Sequence, residues 1–418
     1  MNHPRSLKVL LPTIGSSGDV HPVLALGIAL QGRGHQATIL TNPLFQELIE
    51  GQGVGFLPVG TIEEARATIA DPDLWHPRKG FEVVAKNAIL PSMAEVYRHI
   101  ERHADASTIV AASGISFGAR IAQERLGVPT ATVHLQPSLI RSLVDQGMAG
   151  NVRISASQPM WFKRAFFRLA DWSLIDRALK RPVNEFRATL GLPPVDRLLH
   201  RWIHSPRLVI GFFPDWFARP QSDWPPRTHL VGFPLWDRGN TTLPADAREF
   251  LDAGDPPVIF TPGSAGATMH RYFKESVEAA RQLGVRAMLV TNFPEQVQSD
   301  LPAHVKTFGY LPFSVVLPHA IMLVYHGGIG TLAQTIKAGI PHLVVPSGHD
   351  QFDNAWRIER LGLGRGIPQA QYRASRAVAA IRAILADGEG RARCRDYASR
   401  MDSDAALTRA CELIEGLA

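Results

Sequence analysis

The chain has 418 residues, of which 45% are hydrophobic, and it carries 44 lysines and arginines against 38 aspartates and glutamates. This composition predicts a globular protein of two domains and excludes disordered, collagen-like and coiled-coil chains. With two cysteines, neither a disulfide framework nor a cysteine-rich zinc site is expected. The first residues lack the pattern of a signal peptide, so we expect a cytoplasmic protein.

The N-terminal half alternates short apolar runs with stretches of helical spacing. Its first unit predicts a strand, a glycine-rich turn at Gly15 to Gly18, a helix from Pro22 to Gly32 and a second strand. The predicted strands are Leu7 to Leu11, Ala37 to Thr41, Thr108 to Ala112, Thr130 to Leu135 and Leu208 to Phe212. Such alternation favours an α/β fold with a parallel, doubly wound sheet.

The same pattern restarts after a turn-rich passage at 232–244. The second series of predicted strands is Val258 to Thr261, Ala287 to Thr291, Ile321 to Tyr325 and His342 to Val345. We therefore expect two facing Rossmann-like domains with a cleft between them, residues 1–235 and 236–387. Residues 388–418 are predicted to be helical and to pack back across the boundary. The charge-free stretch 311–336 is interrupted by prolines and glycines, so we predict no membrane span there.

A loop of small residues, Gly15 to Pro22, follows the first strand. Its backbone N–H groups and the helix dipole favour negative charge. The candidate phosphate contacts are Ser16, Ser17 and Gly18. Asp19 has two interpretations, a cap of the following helix or a general base that takes a proton from an acceptor hydroxyl. His21 is the rival candidate for the base.

A second glycine-rich loop follows the strand that ends at Tyr325 and opens a helix. Glycines and a hydroxyl at a helix N-terminus suit a diphosphate, with an imidazole as a further donor. The candidate residues are His326, Gly327, Gly328, Gly330 and Thr331. The alternative is that His326 is a structural histidine at a strand end.

A third polar loop, Pro346 to Asn354, also follows a predicted strand. Asp350 offers acceptors and Gln351 offers both a donor and an acceptor, a pairing that suits the vicinal hydroxyls of a sugar. The alternative is a polar loop that caps the next helix.

Basic residues concentrate in one segment, where 153–187 holds eight lysines and arginines against three aspartates and glutamates. Large apolar side chains alternate with them from Met160 to Arg187. Such a stretch is typical of a membrane-surface element or of a core-packed helix with a solvated basic face, and both interpretations stay open. The interleaved apolar residues and the absence of a recognition motif disfavour nucleic-acid binding.

Taken together, these motifs resemble those of family 1 GT-B glycosyltransferases. The run GSSGDVHP is similar to the first loop of bacterial and sterol-type members, and His326 to Asn354 resembles the nucleotide-sugar motif. Asp71 to Trp75, Trp202 to Trp236 and the run HDQFDN resemble the rhamnosyltransferases of rhamnolipid synthesis. The likeness extends over nearly the whole chain.

The resemblance implies roles for particular residues. Asp19 is the implied catalytic base, with His21 as a second candidate. Ser264 and the His326 loop are implied to hold the diphosphate, while Asp350 and Gln351 hold the donor sugar. The nucleobase is expected at Tyr310 to Phe313. Many relatives place a glutamine where Phe313 stands, so stacking and backbone groups must hold the base here.

The resemblance also implies an activity. We expect an inverting, metal-independent transfer without a cofactor, in which L-rhamnose passes from dTDP-rhamnose to a lipid hydroxyl such as that of a 3-(3-hydroxyalkanoyloxy)alkanoate. Peripheral contact with the inner membrane through 160–187 would accompany it. The alternatives are a UDP-glucose-dependent enzyme for sterols, phenols or other hydrophobic natural products, and an inactive nucleotide-sugar-binding partner. A nicotinamide-dependent enzyme is disfavoured, because the first loop reads GSSGDV and lacks the GxGxxG pattern.

Overall fold

The computed structural model describes residues 6–77, 79–237, 242–264 and 269–418. These residues form two compact units. Unit 1 contains the described residues of 1–74, 78–236 and 402–418, and unit 2 contains those of 75–77 and 237–401. The expected divisions lie after residues 235 and 387. The second division lies after Met401, and the short piece 75–77 belongs to unit 2, which the sequence did not predict.

Unit 1 is built on a parallel sheet. Its strands, in chain order, are β1 (Lys8–Pro12), β2 (Gln36–Thr41), β3 (Gly55–Pro58), β4 (Thr108–Ser113), β5 (Thr130–His134), then β8 (Leu208–Gly211) and β9 (Thr228–Leu230). In space they are ordered β3-β2-β1-β4-β5-β8-β9. A separate antiparallel hairpin pairs β6 (Gly147–Ala149) with β7 (Val152–Ile154). The alternating apolar runs predicted most of this sheet.

Helices pack on the unit 1 sheet. They are α1 (Ser17–Gly32), α2 (Gln46–Glu50), α3 (Ile62–Ala70), α4 (Gly80–Val84), α5 (Leu90–His103), α6 (Phe117–Leu126), α7 (Met160–Ala170) and α8 (Arg181–Thr189). Three segments are wound as wider π-helix, Ala85–Ile89, Asp171–Lys180 and Leu198–Trp202. Short 3₁₀ turns lie at Pro43–Phe45 and Pro137–Leu139. The Asp171–Lys180 segment joins α7 to α8 without a break.

The core of unit 1 explains why these helices form. Val110 of the sheet, Val96 of α5 and Ile121 of α6 are fully buried in one apolar cluster. Leu179 and Val183 of the long helix 160–189 join the same cluster. Each such side chain contributes about 1.5–3 kcal/mol when it is removed from water. One face of the basic segment is therefore core-packed, as the second of the two interpretations required.

Unit 2 repeats the same design. Its strands are β10 (Val258–Thr261), β11 (Ala287–Val290), β12 (Val305–Phe308), β13 (Met322–Tyr325), β14 (His342–Val344) and β15 (Gly364–Gly366), ordered β12-β11-β10-β13-β14-β15 and all parallel. Its helices are α9 (Ala245–Asp252), α10 (His270–Leu283), α11 (Phe313–Val316), α12 (Ile329–Ala338), α13 (Gln351–Leu361), α14 (Ala374–Ala386) and α15 (Gly388–Ser399). Single 3₁₀ turns lie at Pro294–Gln296, Leu317–His319 and Gln369–Gln371.

The C-terminal segment is divided between the units. We expected residues 388–418 to pack back as a whole, but α15 packs on α12 within unit 2. A break follows at 400–402, where the Asp402 side chain accepts a hydrogen bond from Ala405 N and caps α16 (Ser403–Glu415). Only α16 packs in unit 1, against α1, where Arg33 donates to both oxygens of Glu415 at 2.6 and 2.8 Å. The break that Asp402 caps thus separates the part of the segment in unit 2 from the part in unit 1.

Within the described residues, no helix combines the length and the apolar character needed to cross a membrane. The charge-free stretch 311–336 holds α11, β13 and most of α12, as its prolines and glycines predicted.

Candidate functional site

The two sheets direct their predicted site loops to equivalent places. In each, the chain reverses its direction of strand addition between two central neighbours, β1 and β4 in unit 1 and β10 and β13 in unit 2. Ligands of doubly wound sheets bind at the carboxyl ends of such strands. The loop of Asp19 follows β1, Ser264 follows β10, and His326 follows β13.

Asp19 folds back over its own loop. Its Oδ2 accepts hydrogen bonds from Ser16 N at 2.8 Å and Ser16 Oγ at 3.3 Å. Gly15 has φ +139°, and a Cβ atom there would lie 2.1 Å from Asp19 Oδ2. Ser16 is the N-cap of α1, and Asp19 completes a capping box with it. The structure therefore realises the capping interpretation of Asp19, and a carboxylate with further acceptor capacity can still take a proton.

The other residues of this loop begin the helix. Ser17 and Gly18 are the first two residues of α1, and the Asp19 carboxylate lies in the same first turn. That charge already interacts favourably with the positive end of the helix. It therefore competes with the predicted phosphate contacts at Ser16, Ser17 and Gly18.

His21, the rival base, lies two residues further along α1. It is half-buried, and its ring meets the Trp236 ring edge to face with centroids 5.0 Å apart. Trp236 was not predicted as a site residue. The only signal for it was its position at the end of the aromatic-rich run 202–236.

His326 lies in a narrow slot. Cβ atoms at Gly263 and Gly328 would lie 2.5 Å from His326 Cε1 and 2.3 Å from His326 Nε2, so both positions require glycine. Burial lowers the pKa of His326 to about 4, which makes the imidazole neutral at neutral pH. Its Nδ1 is buried and has no hydrogen-bond partner among the described residues. A buried polar atom of this kind is suited to a ligand.

The helix that follows His326 offers an anion site. Its N-cap is Gly328, which has no side chain to cap the first turn, and that turn contains no acidic residue. The first intrahelical bond runs from Leu332 N to Gly328 O at 2.9 Å, so the preceding amides belong to the unsatisfied set of the helix start. Gly330 and Thr331 contribute two of these amides. In this respect α12 differs from α1, where Asp19 occupies the turn.

Asp350 and Gln351 take different roles. Gln351 is 1% exposed, and its Oε1 accepts hydrogen bonds from Ser347 N at 2.9 Å, Ser347 Oγ at 3.0 Å and Gly348 N at 3.2 Å. This oxygen holds the loop together. Asp350 accepts from Asn354 Nδ2 at 2.7 Å, and burial raises the pKa of its carboxyl to about 6. Of the predicted pair, Asp350 is the one with acceptor character to offer a sugar.

Asn354 connects two of the loops. Besides its contact with Asp350, its Nδ2 donates to Gly327 O at 2.9 Å. The Asp350 loop and the His326 loop are thereby held in register by one amide.

Trp75 was not predicted as a site residue. Its ring lies edge to face with His326 at 6.5 Å and with His349 at 5.3 Å between centroids. His349 has φ +54°, a strained backbone conformation for a residue with a side chain. The run Asp71 to Trp75 carries a family resemblance, but nothing in its local pattern places it in unit 2.

The expected nucleobase region is organised by an aspartate. Asp237 accepts a hydrogen bond from Tyr310 OH at 2.5 Å through Oδ1 and from Ser314 N at 2.7 Å through Oδ2. Phe313 is half-buried and begins α11. Asp237 was missed in the sequence because it is 73 positions away from Tyr310.

Strand order arranges the unit 2 residues along one edge. The Tyr310 loop follows the outer strand β12, Gly263 and Ser264 follow β10, His326 follows β13, and Asp350 follows β14. Parallel strands end at the same edge, so aromatic, diphosphate and sugar candidates are met in that order. Ser264 is exposed and is the last described residue of its loop.

Two family models match the chain. The N-terminal domain of glycosyltransferase family 28 matches residues 9–137, and the C-terminal domain of erythromycin biosynthesis protein CIII-like proteins matches residues 280–415. Among curated proteins, O-mycaminosyltylonolide 6-deoxyallosyltransferase of Streptomyces fradiae is 28% identical over 98% of this chain and 97% of its own length. Glycosyltransferase GtfC of Amycolatopsis orientalis is 28% identical over 98% of both chains.

Solved structures share the fold. The kitacinnamycin glycosyltransferase superposes with a TM-score of 0.74 at 20% identity and covers 99% of each chain. VinC in complex with dTDP gives 0.68 at 20% identity and covers 98% of this chain and 99% of its own. The spinosyn rhamnosyltransferase SpnG with thymidine diphosphate gives 0.68 at 20% identity and covers 97% of this chain and 100% of its own. With its two Rossmann-like parallel sheets the chain has the GT-B fold, and its N-terminal and C-terminal parts are similar to glycosyltransferase domains, which supports transfer of a sugar from a nucleotide sugar.

Proposed function

We propose that this glycosyltransferase inverts the anomeric centre and works without a metal ion, moving L-rhamnose from dTDP-L-rhamnose to the hydroxyl of a hydroxylated lipid. The proposed acceptor is a hydroxylated lipid such as a 3-(3-hydroxyalkanoyloxy)alkanoate. The observation that carries the transfer is the slot of His326. Its neutral imidazole has a buried Nδ1 without a hydrogen-bond partner in the described part of the chain, and it lies beside a helix start that contains no acidic residue.

The donor is proposed to lie along the carboxyl edge of the unit 2 sheet. Phe313 and Tyr310 hold the base, Ser264, His326 and the α12 amides hold the diphosphate, and Asp350 accepts from a sugar hydroxyl. Thymidine is the preferred nucleoside because two structural neighbours are complexes with thymidine diphosphate. Phe313 places an aromatic ring in this region, which favours recognition of the base by stacking.

The proposed reaction has three coupled parts. The acceptor oxygen attacks the anomeric carbon opposite the diphosphate, and the hydroxyl proton passes to the Asp19 carboxylate. The bond between the anomeric carbon and the diphosphate oxygen breaks, and its electron pair leaves with the diphosphate. His326 and the N-terminus of α12 stabilise that developing charge, which is the part that a metal ion has in other transferases.

A lipid acceptor is supported by the long helix of unit 1. Trp161 and Trp172 are each 72% exposed, and Leu169 is 60% exposed. Arginines lie between these apolar side chains along 160–187. Exposed tryptophans among basic residues are typical of elements that lie on a membrane surface. We therefore propose that the enzyme meets its acceptor through peripheral membrane contact at this helix.

A second candidate acceptor is a polyketide. It is favoured by the 28% identity to an enzyme named for transfer to O-mycaminosyltylonolide, a likeness that covers both chains almost completely. UDP-glucose transfer to a sterol or phenol is a third possibility in the same class. A partner subunit without activity is opposed by the presence of Asp19 in the first loop.

A matrix of donors and acceptors tests the proposal. Purified protein is incubated with dTDP-L-rhamnose or UDP-glucose and with a hydroxyalkanoyloxyalkanoate, a tylosin-type macrolide aglycone, a sterol or a simple phenol, and products are identified by mass spectrometry. We expect a rhamnosylated lipid with the anomeric configuration inverted, at equal rate with and without a chelator. Preference for the macrolide refutes the lipid acceptor, and no product from any pair refutes the catalytic role.

A further inference from the structure

A cavity of about 490 Å³ lies in unit 1 beside the long helix 160–189. The helix contributes Arg164, Arg168 and Lys180 to its lining, and the loop before the last π-helical segment contributes Arg197. Opposite them, Arg141 donates to both oxygens of Asp171 at 2.7 Å and stacks over the Phe167 ring at 4.4 Å. No predicted catalytic or donor residue lines this cavity.

The charges in the cavity are unbalanced. Arg141 is neutralised by Asp171, which leaves four cations against two further lining carboxylates, Asp176 and Asp196. Among the described residues, the side chains of Arg164, Arg168 and Arg197 make no hydrogen bond or ion pair, whereas the charge of Lys180 acts on Asp176. Their positive charge can therefore serve an anion.

The pKa of His200 is affected by the positive charges of the cavity. Burial, together with the charges of Arg141 and Arg197, lowers the pKa of His200 to about 4. The imidazole is therefore neutral at neutral pH and does not add to the positive charge.

The walls of the cavity are conformationally unusual. Arg197 has φ +51°, a backbone conformation that residues with side chains rarely adopt. It directly precedes the π-helical segment Leu198–Trp202, and the facing wall belongs to the π-helical segment Asp171–Lys180. Backbone strain of this kind costs stability, and both features occur frequently at functional sites.

An apolar surface adjoins the cavity on the same helix. Positions 161, 164, 168 and 172 are spaced three and four apart, so Trp161 and Trp172 share a side of the helix with Arg164 and Arg168. Lys163 points elsewhere, because it is 3% exposed and donates to the carbonyl oxygens of Val144 and Ala156. Cations and exposed indoles thus stand next to each other.

We propose that this cavity binds the phosphate head group of an anionic phospholipid, while Trp161 and Trp172 enter the interface of the same membrane. The guanidinium groups of Arg164, Arg168 and Arg197 pair with the phosphate, and the indoles lie where apolar and polar layers meet. This proposal rests on the peripheral membrane contact proposed above and adds a defined lipid site to it.

Vesicle sedimentation tests the head-group site. Wild-type protein is compared with the triple variant Arg164→Gln, Arg168→Gln, Arg197→Gln on vesicles of phosphatidylcholine alone and with 30% phosphatidylglycerol. Each basic residue near an anionic surface contributes roughly a factor of five to binding, so the variant should bind the mixed vesicles about a hundredfold more weakly. The matched control removes the same charge from exposed arginines that do not line the cavity, Arg66, Arg102 and Arg125.

Two further arms separate the lipid from other sources. The double variant Trp161→Ala, Trp172→Ala should lose vesicle binding yet keep any binding of soluble glycerol phosphate, measured by calorimetry. If glycerol phosphate binds the wild type and the vesicles do not, the ligand is a free phosphate and the lipid assignment is wrong. If the wild type self-associates in sedimentation velocity without lipid and the Trp variant does not, the apolar face serves a second protein and the proposal is also overturned.

The outcome is independent of the reaction. No donor or acceptor is present, so loss of transfer activity cannot imitate loss of lipid binding. Equal binding of the triple variant and its control to the mixed vesicles refutes the site. The substituted side chains are exposed or line the cavity, and circular dichroism with thermal unfolding checks that all variants fold alike.

Discussion

Asp19 has a structural role and a proposed catalytic role, and one substitution separates them. Asp19→Asn keeps a side-chain oxygen that can accept the 2.8 Å hydrogen bond from Ser16 N, so the capping box survives. It removes the carboxylate charge, and with it the ability to take a proton from the acceptor hydroxyl. Asp19→Ala removes both functions.

The two roles predict different magnitudes. Loss of the charge at the start of α1 should lower the free energy of unfolding of Asp19→Asn by about 0.3–1 kcal/mol, whereas loss of the capping oxygen in Asp19→Ala should cost about 1 kcal/mol more. A missing general base lowers turnover by about 10²–10⁴-fold, and this loss should be the same in both variants. The dissociation constant of the nucleotide should not change in either variant, because the proposed donor-binding residues lie in unit 2.

Steady-state kinetics with saturating donor, paired with urea unfolding, measures both effects. Turnover of Asp19→Asn within threefold of the wild type would show that Asp19 only caps the helix. His21 would then be the candidate base, and the turnover of His21→Ala would test it. If activity in the two Asp19 variants falls in proportion to stability, the catalytic interpretation is likewise wrong.

Three further results are expected. His326→Ala should weaken dTDP binding by about 3- to 10-fold in calorimetry, because the neutral imidazole contributes an ordinary hydrogen bond. Gly263→Ala should weaken dTDP binding at least as much, because the added methyl group displaces the His326 ring. Unchanged affinity in both variants contradicts the diphosphate site. Trp75→Ala should raise the KM for the donor more than it lowers kcat, with Trp75→Phe nearer to the wild type, whereas a pure kcat effect contradicts a donor-side position. Burial lowers the pKa of His204 to about 4 and that of His342 to about 3, so below pH 6.5 the unfolded chain binds protons that the folded chain does not. The free energy of unfolding should therefore fall between pH 6.5 and 4 by about 1.4 kcal/mol per pH unit for each of these histidines. A urea midpoint that stays constant across this range refutes the expectation.

Several elements were predictable because their signal is local. The central strands β1, β4, β10 and β13 are buried on both faces, and each appears in the sequence as a continuous apolar run. The short strands β3, β9, β12 and β15 were missed. They are partly exposed, so their residues show no such run. Edge position, which is a property of the sheet, removed the signal that the prediction used.

The sequence by itself determined which loops follow the central strands and so became the candidate site, because glycine-rich turns after apolar strands mark the carboxyl edge of a doubly wound sheet. Only the tertiary structure decided what the side chains in those loops do. The Asp19 side chain packs against Gly15, Gln351 accepts hydrogen bonds within its own loop, and Trp75, from the N-terminal half of the sequence, contacts the ring of His326. The physical reason is range, since periodicity and turn chemistry act between neighbours in the chain. Contacts such as Trp75 with His326 exist only after strand order and packing have brought distant segments together.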